Sequence, residues 1–88
     1  MTDEETLLEF PCDFPIKAMG RAADDFEATV VEIVRHHAPE LTEAAVSVRE
    51  SRGSTYLAVT VTIRATSREQ LDNIYRELTA HEQVMMAL

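Results

Sequence analysis

Large apolar residues alternate with small or polar ones from Leu57 to Arg64, and this pattern constrains the fold more than any other feature. A repeat of two places successive side chains on opposite faces of a strand, so one face is buried and the other meets water. The side chains predicted to face the core are Leu57, Val59, Val61 and Ile63. Other elements must cover this face, because a strand with one apolar face is not stable alone.

Three further strands are predicted from similar alternation. Before the long strand, Val46 and Val48 alternate with polar residues, and turn residues at 51–54 join the two segments as a β-hairpin. A turn at Gly20 is predicted to end the first strand. In chain order, the predicted strands cover residues 14–20, 46–49, 56–64 and 84–88.

Two amphipathic helices are predicted between the strands. Asp24 followed by Glu27 resembles a capping box at the start of the first helix, and Pro39 ends that helix. Ser67 followed by Gln70 is the corresponding box of the second helix. The residues at helical spacing that predict a buried face are Phe26, Val30, Ile33, Val34 and His37 in the first helix and Leu71, Ile74, Tyr75 and Leu78 in the second.

The predicted order of elements is β, α, β, β, α, β. Two helices must then cover one face of a four-stranded antiparallel sheet, which is an α+β two-layer sandwich. The length of 88 residues suits a single domain spanning 1–88, with the acidic residues 1–6 as a loose N-terminal arm.

Charge and cysteine content exclude several classes of protein. Sixteen acidic and eight basic side chains give a formal net charge of −8, which repels a phosphate backbone, so no nucleic acid is expected as a partner. The single cysteine allows no disulfide within the chain and points to a reducing compartment. The sequence contains no apolar run of membrane-spanning length, and its start is acidic, unlike a targeting peptide. A cytoplasmic protein without a membrane partner is expected.

Seven short segments carry a family resemblance: Leu8-Glu9-Phe10-Pro11, Lys17-Ala18-Met19-Gly20, His37-Ala38-Pro39, Ala65-Thr66, Glu69-Gln70-Leu71, Ile74-Tyr75 and residues 84–88. Together they resemble the YbeD-like family of small uncharacterised bacterial proteins. The resemblance implies a ferredoxin-like fold, similar to the ACT regulatory domains that bind amino acids in metabolic enzymes. It implies no catalytic activity and no cofactor. Members are often encoded near an octanoyltransferase of the lipoyl pathway, which implies a metabolic setting.

Individual residues with catalytic or metal-binding chemistry do not form a recognisable site in the sequence. Cys12 has proline and aspartate as neighbours, so a packed or unused thiol is expected rather than a nucleophile. His36 and His37 point about 100° apart on a helix, so they are expected to complement the helix dipole rather than share a metal ion. Arg21 does not make an acyl-phosphate hydrolase, because the only asparagine, Asn73, lies in a helix.

Strand parity predicts a binding face on the uncovered side of the sheet. The polar residues placed there are Lys17, Ser47, Arg49, Thr60, Thr62 and Arg64. Most acidic residues lie in the helices and the arm, so this face is expected to be locally basic. The alternative is a solvated sheet surface without a partner.

The last predicted strand is a candidate association edge. In the ferredoxin-like order that the resemblance implies, this strand lies at the margin of the sheet, and residues 84–88 carry no charge. Val84, Met85 and Met86 are therefore predicted to pair with a second copy, as a weak homodimer, or with a partner strand. The alternative is a strand too short to pair.

The function expected from these features is that of a non-catalytic regulatory or protein-interaction module. Its open face or edge would bind a protein or a small anionic metabolite. The alternative is an ACT-like sensor of an amino acid or anionic metabolite, with the ligand close to the backbone at Gly20, where a simple turn is the other interpretation. An unrecognised enzyme is a third possibility.

Overall fold

Alternating sequence patterns become strands in the computed structural model, which describes residues 9–88. The arm predicted for residues 1–6 lies outside these described residues. The elements are β1 (Cys12–Arg21), α1 (Phe26–His37), β2 (Val46–Glu50), β3 (Tyr56–Ala65), α2 (Arg68–Ala80) and β4 (Met86–Ala87). Short 3₁₀ turns, Glu43–Ala45 and Arg52–Ser54, precede β2 and β3.

The four strands form one sheet in the order β2-β3-β1-β4, and every neighbouring pair is antiparallel. The two central strands pair along ten residues, from Cys12 opposite Ala65 to Arg21 opposite Tyr56. β4 lies beside β1, and β2 lies beside β3, so these two shorter strands are the edges. The predicted four-stranded ferredoxin-like sandwich is confirmed.

The two helices cover one face of the sheet and enclose an apolar core. No polar or charged side chain is buried within residues 9–88. The side chains at the centre, all fully buried, are Ile16, Ala18, Phe26, Val30, Val34, Val59, Val61, Ala65, Ile74 and Leu78. Neither helix in this part of the chain has the length and apolar character needed to cross a membrane.

The start of α2 is capped as predicted and is also tied to the end of α1. The Ser67 hydroxyl accepts a hydrogen bond from the backbone N–H of Gln70 at 3.0 Å. The Gln70 side chain does not return to the Ser67 N–H. Its oxygen accepts from the Thr66 N–H at 2.7 Å, and its nitrogen donates to the carbonyl oxygen of His37 at 2.7 Å. One side chain therefore joins both helices.

The capping box predicted for Asp24 and Glu27 is wrong. The helix begins at Phe26, and its N-cap residue, Asp25, makes no capping hydrogen bond with its side chain. The Asp25 carboxylate instead accepts from the side-chain amide of Gln83 at 3.1 Å. Asp24 lies one residue before the N-cap position, and the carboxylate of the N-cap residue is bound by a residue far along the chain. The helix does end before Pro39, as predicted.

β1 is longer, and β4 shorter, than the sequence pattern predicts. β1 runs from Cys12 and contains Pro15, although proline lacks an N–H. Lys17 and Leu88 exchange two backbone hydrogen bonds, so the backbone N–H of Lys17 points towards β4. Pro15 lies two residues earlier in β1, and the N–H of any other residue at that position would point to the same side. β4 lies beside Lys17, Ala18 and Met19 and does not reach Pro15, so the missing N–H of Pro15 costs no bond there.

Replacing Val61 with Asp should unfold the domain, because Val61 is fully buried at the centre of the core. An unpaired carboxylate there should cost more than about 4 kcal/mol. The control is Thr62→Asp, on the exposed face of the same strand, which should cost less than about 1 kcal/mol. Urea denaturation followed by circular dichroism measures both, and similar midpoints for the two variants would contradict the orientation of the sheet.

Candidate functional site

The face of the sheet opposite the helices, named here the open face, brings most of the predicted binding residues together. Lys17 lies opposite Thr60, which in turn lies opposite Ser47, so these three form a row across three strands. Arg49, Thr62 and Arg64 share the face by the same parity. The predicted grouping of these six residues is therefore observed, with Gly20 as the exception among the candidate binding residues.

Cationic side chains outnumber carboxylates on the open face. Lys17, Arg21, Arg49 and Arg64 share it with one acid, Asp13, in a chain whose formal net charge is −8. Arg64 and Asp13 form an ion pair at 3.4 Å, and because both side chains are mostly exposed the pair contributes little stability. Lys17 and Arg49 have no ion-pair partner within residues 9–88. Their charges are thus not neutralised by an ion pair in this part of the chain.

An apolar row crosses the open face beside the cations, and it was not predicted from the sequence. Ala58, Met19 and Met86 lie next to one another on neighbouring strands, with Arg49 at the far end of the row. Leu88, which is bonded to Lys17, is 62% exposed, and Met86 is 50% exposed. The parity that places Lys17 on this face also places Met19 there, two residues along the same strand.

Gly20 does not form the predicted turn. It lies inside β1, is buried, and does not have a positive φ. A Cβ atom at this position would overlap the carbonyl oxygen of Gln83 and the ring of Phe26. Glycine is therefore required at this position by close packing rather than by a turn.

The predicted association edge is at the margin of the sheet, but it is shorter than expected. Val84 is buried in the core, with 9% of its surface exposed, so it cannot pair with another chain. Met85 and Met86 are exposed, at 63% and 50%. Only Met86–Ala87 forms regular strand, flanked by backbone bonds from Met85 to Met19 and between Leu88 and Lys17.

Two histidines of α1 contact one carboxylate of α2. His37 Nε2 lies 2.8 Å from Glu77 Oε1, and His36 Nδ1 lies 3.4 Å from Glu77 Oε2. The hydrogen bond from His37 is the main reason that the pKa of Glu77 lies below its ordinary value. The contact joins the helices, and residues 9–88 contain no group of three side chains suited to a metal ion. Nearby on α2, partial burial raises the pKa of the Tyr75 phenol.

The remaining candidate residues are not gathered into a site. Cys12 is half-buried against the core on the helix side, opposite Ala65. Asn73 lies on α2, where its side-chain oxygen accepts a hydrogen bond from Arg76 at 2.8 Å. Arg21 lies at the end of β1, among the cations of the open face and away from Asn73. The structure thus brings together the cations and hydroxyls of the sheet, and not a set of catalytic residues.

Comparison with known proteins gives one family and one fold. A family model described as "Protein of unknown function (DUF493)" matches residues 5–88. The chain is 55% identical to a UPF0250 protein of Chromobacterium violaceum over 89 residues, covering 100% of both chains. It is 52% identical to a UPF0250 protein of Paraburkholderia phytofirmans over 84 residues, covering 96% of this chain and 94% of the relative.

A solved structure has the same fold. The solution structure of protein HP0495 from H. pylori superposes with a TM-score of 0.71, covering 100% of this chain and 94% of that one. The two sequences are only 12% identical, so this likeness concerns the fold alone.

Replacing Gly20 with Ala should destabilise the protein by about 2–3 kcal/mol, because the added methyl group meets Gln83 and Phe26 in a packed region. Gly53→Ala is the control, since Gly53 has a φ of 83° but open space around it, and should cost roughly 1 kcal/mol. Urea denaturation compares the two variants. If Gly20→Ala lowered the free energy of unfolding less than Gly53→Ala does, the space between Gly20, Gln83 and Phe26 would be large enough for a methyl group, and the close packing inferred at this position would be wrong.

Replacing Glu77 with Gln should reduce the dependence of stability on acid pH. The lowered pKa of Glu77 means that its ionised form stabilises the folded protein, and this contribution is lost as the pH falls through the lowered value. Urea midpoints should therefore fall less between about pH 5 and pH 3 in this variant than in the wild type. The difference should stay below about 1 kcal/mol, because 40% of the Glu77 side chain is exposed.

Glu82→Gln is the matched control for this measurement, since Glu82 accepts no side-chain hydrogen bond within residues 9–88. Its pH profile should follow that of the wild type. Identical profiles for Glu77→Gln and the wild type would show that the contact between the helices contributes nothing.

Proposed function

Because the chain belongs to the DUF493 family of proteins of unknown function, its relatives supply no activity to transfer, and we propose from its geometry that it is a non-catalytic interaction module. The resemblance to YbeD-like proteins is confirmed by this membership. In the proposed function the open face binds an acidic surface of a different protein. The observation that carries the proposal is the excess of cations on this face of a chain with net charge −8.

Charge provides the attraction in this proposal. Lys17 and Arg49 lie on adjacent rows of the sheet and have no acidic partner within residues 9–88. An acidic surface would pair with them without first breaking an internal ion pair. Complementary charge of this kind raises the rate of encounter and selects against wrong partners. The neighbouring hydroxyls of Ser47 and Thr60 can donate hydrogen bonds to carboxylates.

The apolar row favours a protein partner over a small anionic metabolite. Met19, Met86 and Leu88 lie directly beside the cations, and two of these side chains are at least half exposed. A small anion would satisfy the charges and leave this apolar surface in water. A protein surface with apolar residues bordered by acids would cover both parts, as protein interfaces with apolar centres and polar rims do.

A second copy of this chain is a poor partner for the open face. A two-fold contact between two such faces would bring Lys17 and Arg49 of one copy towards the same cations of the other. Like charges brought together in this way oppose association. The partner is therefore expected to be a different, acidic protein.

Reversing Lys17 and Arg49 to Glu should weaken partner binding while leaving the fold intact, because both side chains are exposed. The matched control reverses Arg35 and Arg76, which are exposed on the helices, and changes the net charge equally. Partners are first captured from a lysate of the source bacterium with the wild-type protein. Each purified partner is then titrated against all three proteins by calorimetry.

The open-face variant should bind at least about tenfold more weakly, and the control within about twofold of the wild type. Binding to the wild type should also weaken as salt is raised, since exposed charges are screened. Equal affinity of the two variants for every captured partner would overturn the proposal.

A further inference from the structure

The outer edge of β4 carries backbone groups that no residue in the described part of the chain satisfies. Leu88 and Lys17 exchange two backbone hydrogen bonds, at 2.8 and 3.0 Å, so the N–H and C=O of Leu88 point towards β1. These groups point to alternate sides along a strand. The N–H and C=O of Ala87 therefore point away from the sheet, where they have no backbone partner within residues 9–88.

The side chains around this edge lack the features that usually prevent strand pairing. The four residues from 85 to 88 are Met, Met, Ala and Leu, with no charge and no proline. Met85, Met86 and Leu88 are among the few large apolar side chains that are exposed. The opposite edge of the sheet, β2, is protected by two charged residues, Arg49 and Glu50. Of the two edge strands in the described part of the chain, β4 thus lacks the charged residues that protect β2.

We propose that a second copy of the chain pairs with β4 about a two-fold axis, so that the two Ala87 residues exchange N–H···O=C hydrogen bonds. The antiparallel register then places Met86 of each copy opposite Leu88 of the other. A two-fold contact requires a surface that is complementary to itself. The order Met-Ala-Leu meets this requirement, because apolar residues face apolar residues at all three positions.

The charge distribution favours a second copy at this edge. Two chains with a net charge of −8 repel each other over most of their surface. The β4 edge is where two copies can approach without placing acidic side chains against acidic side chains, since none of the side chains of residues 83–88 is acidic. An acidic partner gains nothing from this uncharged edge, whereas it gains ion pairs on the open face.

Pairing of this kind joins the two sheets into one sheet of eight strands. The two-fold axis is perpendicular to the sheet, so both open faces lie on the same side. Exposed Met86 and Leu88 side chains of both copies meet at the centre of this enlarged face. The contact consists of two backbone hydrogen bonds and these side chains, which is less than a standard interface, so the dimer forms only at high concentration.

Sedimentation equilibrium of the full chain tests the proposal. Between about 10 µM and about 1 mM, the weight-average mass should rise from 9.9 kDa towards twice that value. Met86→Lys should remain monomeric, because it places a cation in the contact and leaves the exposed monomer surface otherwise unchanged. Ala87→Pro should also remain monomeric, because it removes the outward N–H and none of the bonds to β1.

Val48→Lys is the matched control, since it adds the same charge to an exposed apolar residue at the opposite edge, and its mass should rise as in the wild type. Self-association should strengthen with salt, which screens the repulsion between acidic chains, whereas binding of an acidic partner to the open face weakens. Amide hydrogen exchange should slow at Ala87 with rising concentration, while Leu88, already bonded to Lys17, should change little.

A constant mass for the wild type over this range would overturn the proposal. An equal rise in mass for Met86→Lys and Ala87→Pro would overturn it too, because the copies would then meet through another surface.

Discussion

The ten-residue pairing of β1 with β3 is the contact on which the rest of the structure depends. Both outer strands are held through this central pair, β4 beside β1 and β2 beside β3. The same register sets Ile16 opposite Val61 beneath the helices, and both side chains are fully buried. A slip of one residue would turn these side chains to water and bring polar ones against the helices, so the apolar core and the central register support each other.

The strand register also gathers cations on the open face, although the chain as a whole is acidic. A net charge of −8 by itself favours a basic partner, yet the open face presents four cations and one carboxylate. The separation arises because alternate residues of a strand share a face, so Lys17 and Arg49 gather opposite the helices while most acids lie elsewhere. The charge of this face, set by the fold, is therefore opposite in sign to the net charge of the chain.

The two proposed contacts use different physical forces on the same sheet. The open face attracts through charge, which acts over several ångströms and is screened by salt. The β4 edge pairs through the backbone of Ala87, which requires close approach and an uncharged surface. Pairing at the edge would present two sets of Lys17 and Arg49 on one side of an eight-stranded sheet. A partner with two acidic surfaces would then bind with the advantage of a bivalent contact.

Local patterns in the sequence were enough to predict the order of elements, the orientation of β3 and the cap at Ser67, because each depends on residues close together in the chain. The same parity predicted which polar residues share the open face. The errors lie where distant residues meet. Asp24 was predicted to cap α1, but the N-cap residue is Asp25, and its carboxylate accepts a hydrogen bond from Gln83. Gly20 is packed between Gln83 and Phe26 rather than forming a turn.

Val84 and Glu77 also have surroundings that local sequence patterns do not predict. A short uncharged segment predicts an edge strand, but only the packed core decides that Val84 lies inside it. Nothing near Glu77 in the sequence indicates its contacts with His36 and His37, which arise because two helices lie side by side on the sheet. The sequence by itself determined which residues alternate and therefore share a face. Tertiary structure decided which of those faces, turns and edges remain open, because that depends on contacts between residues far apart in the chain.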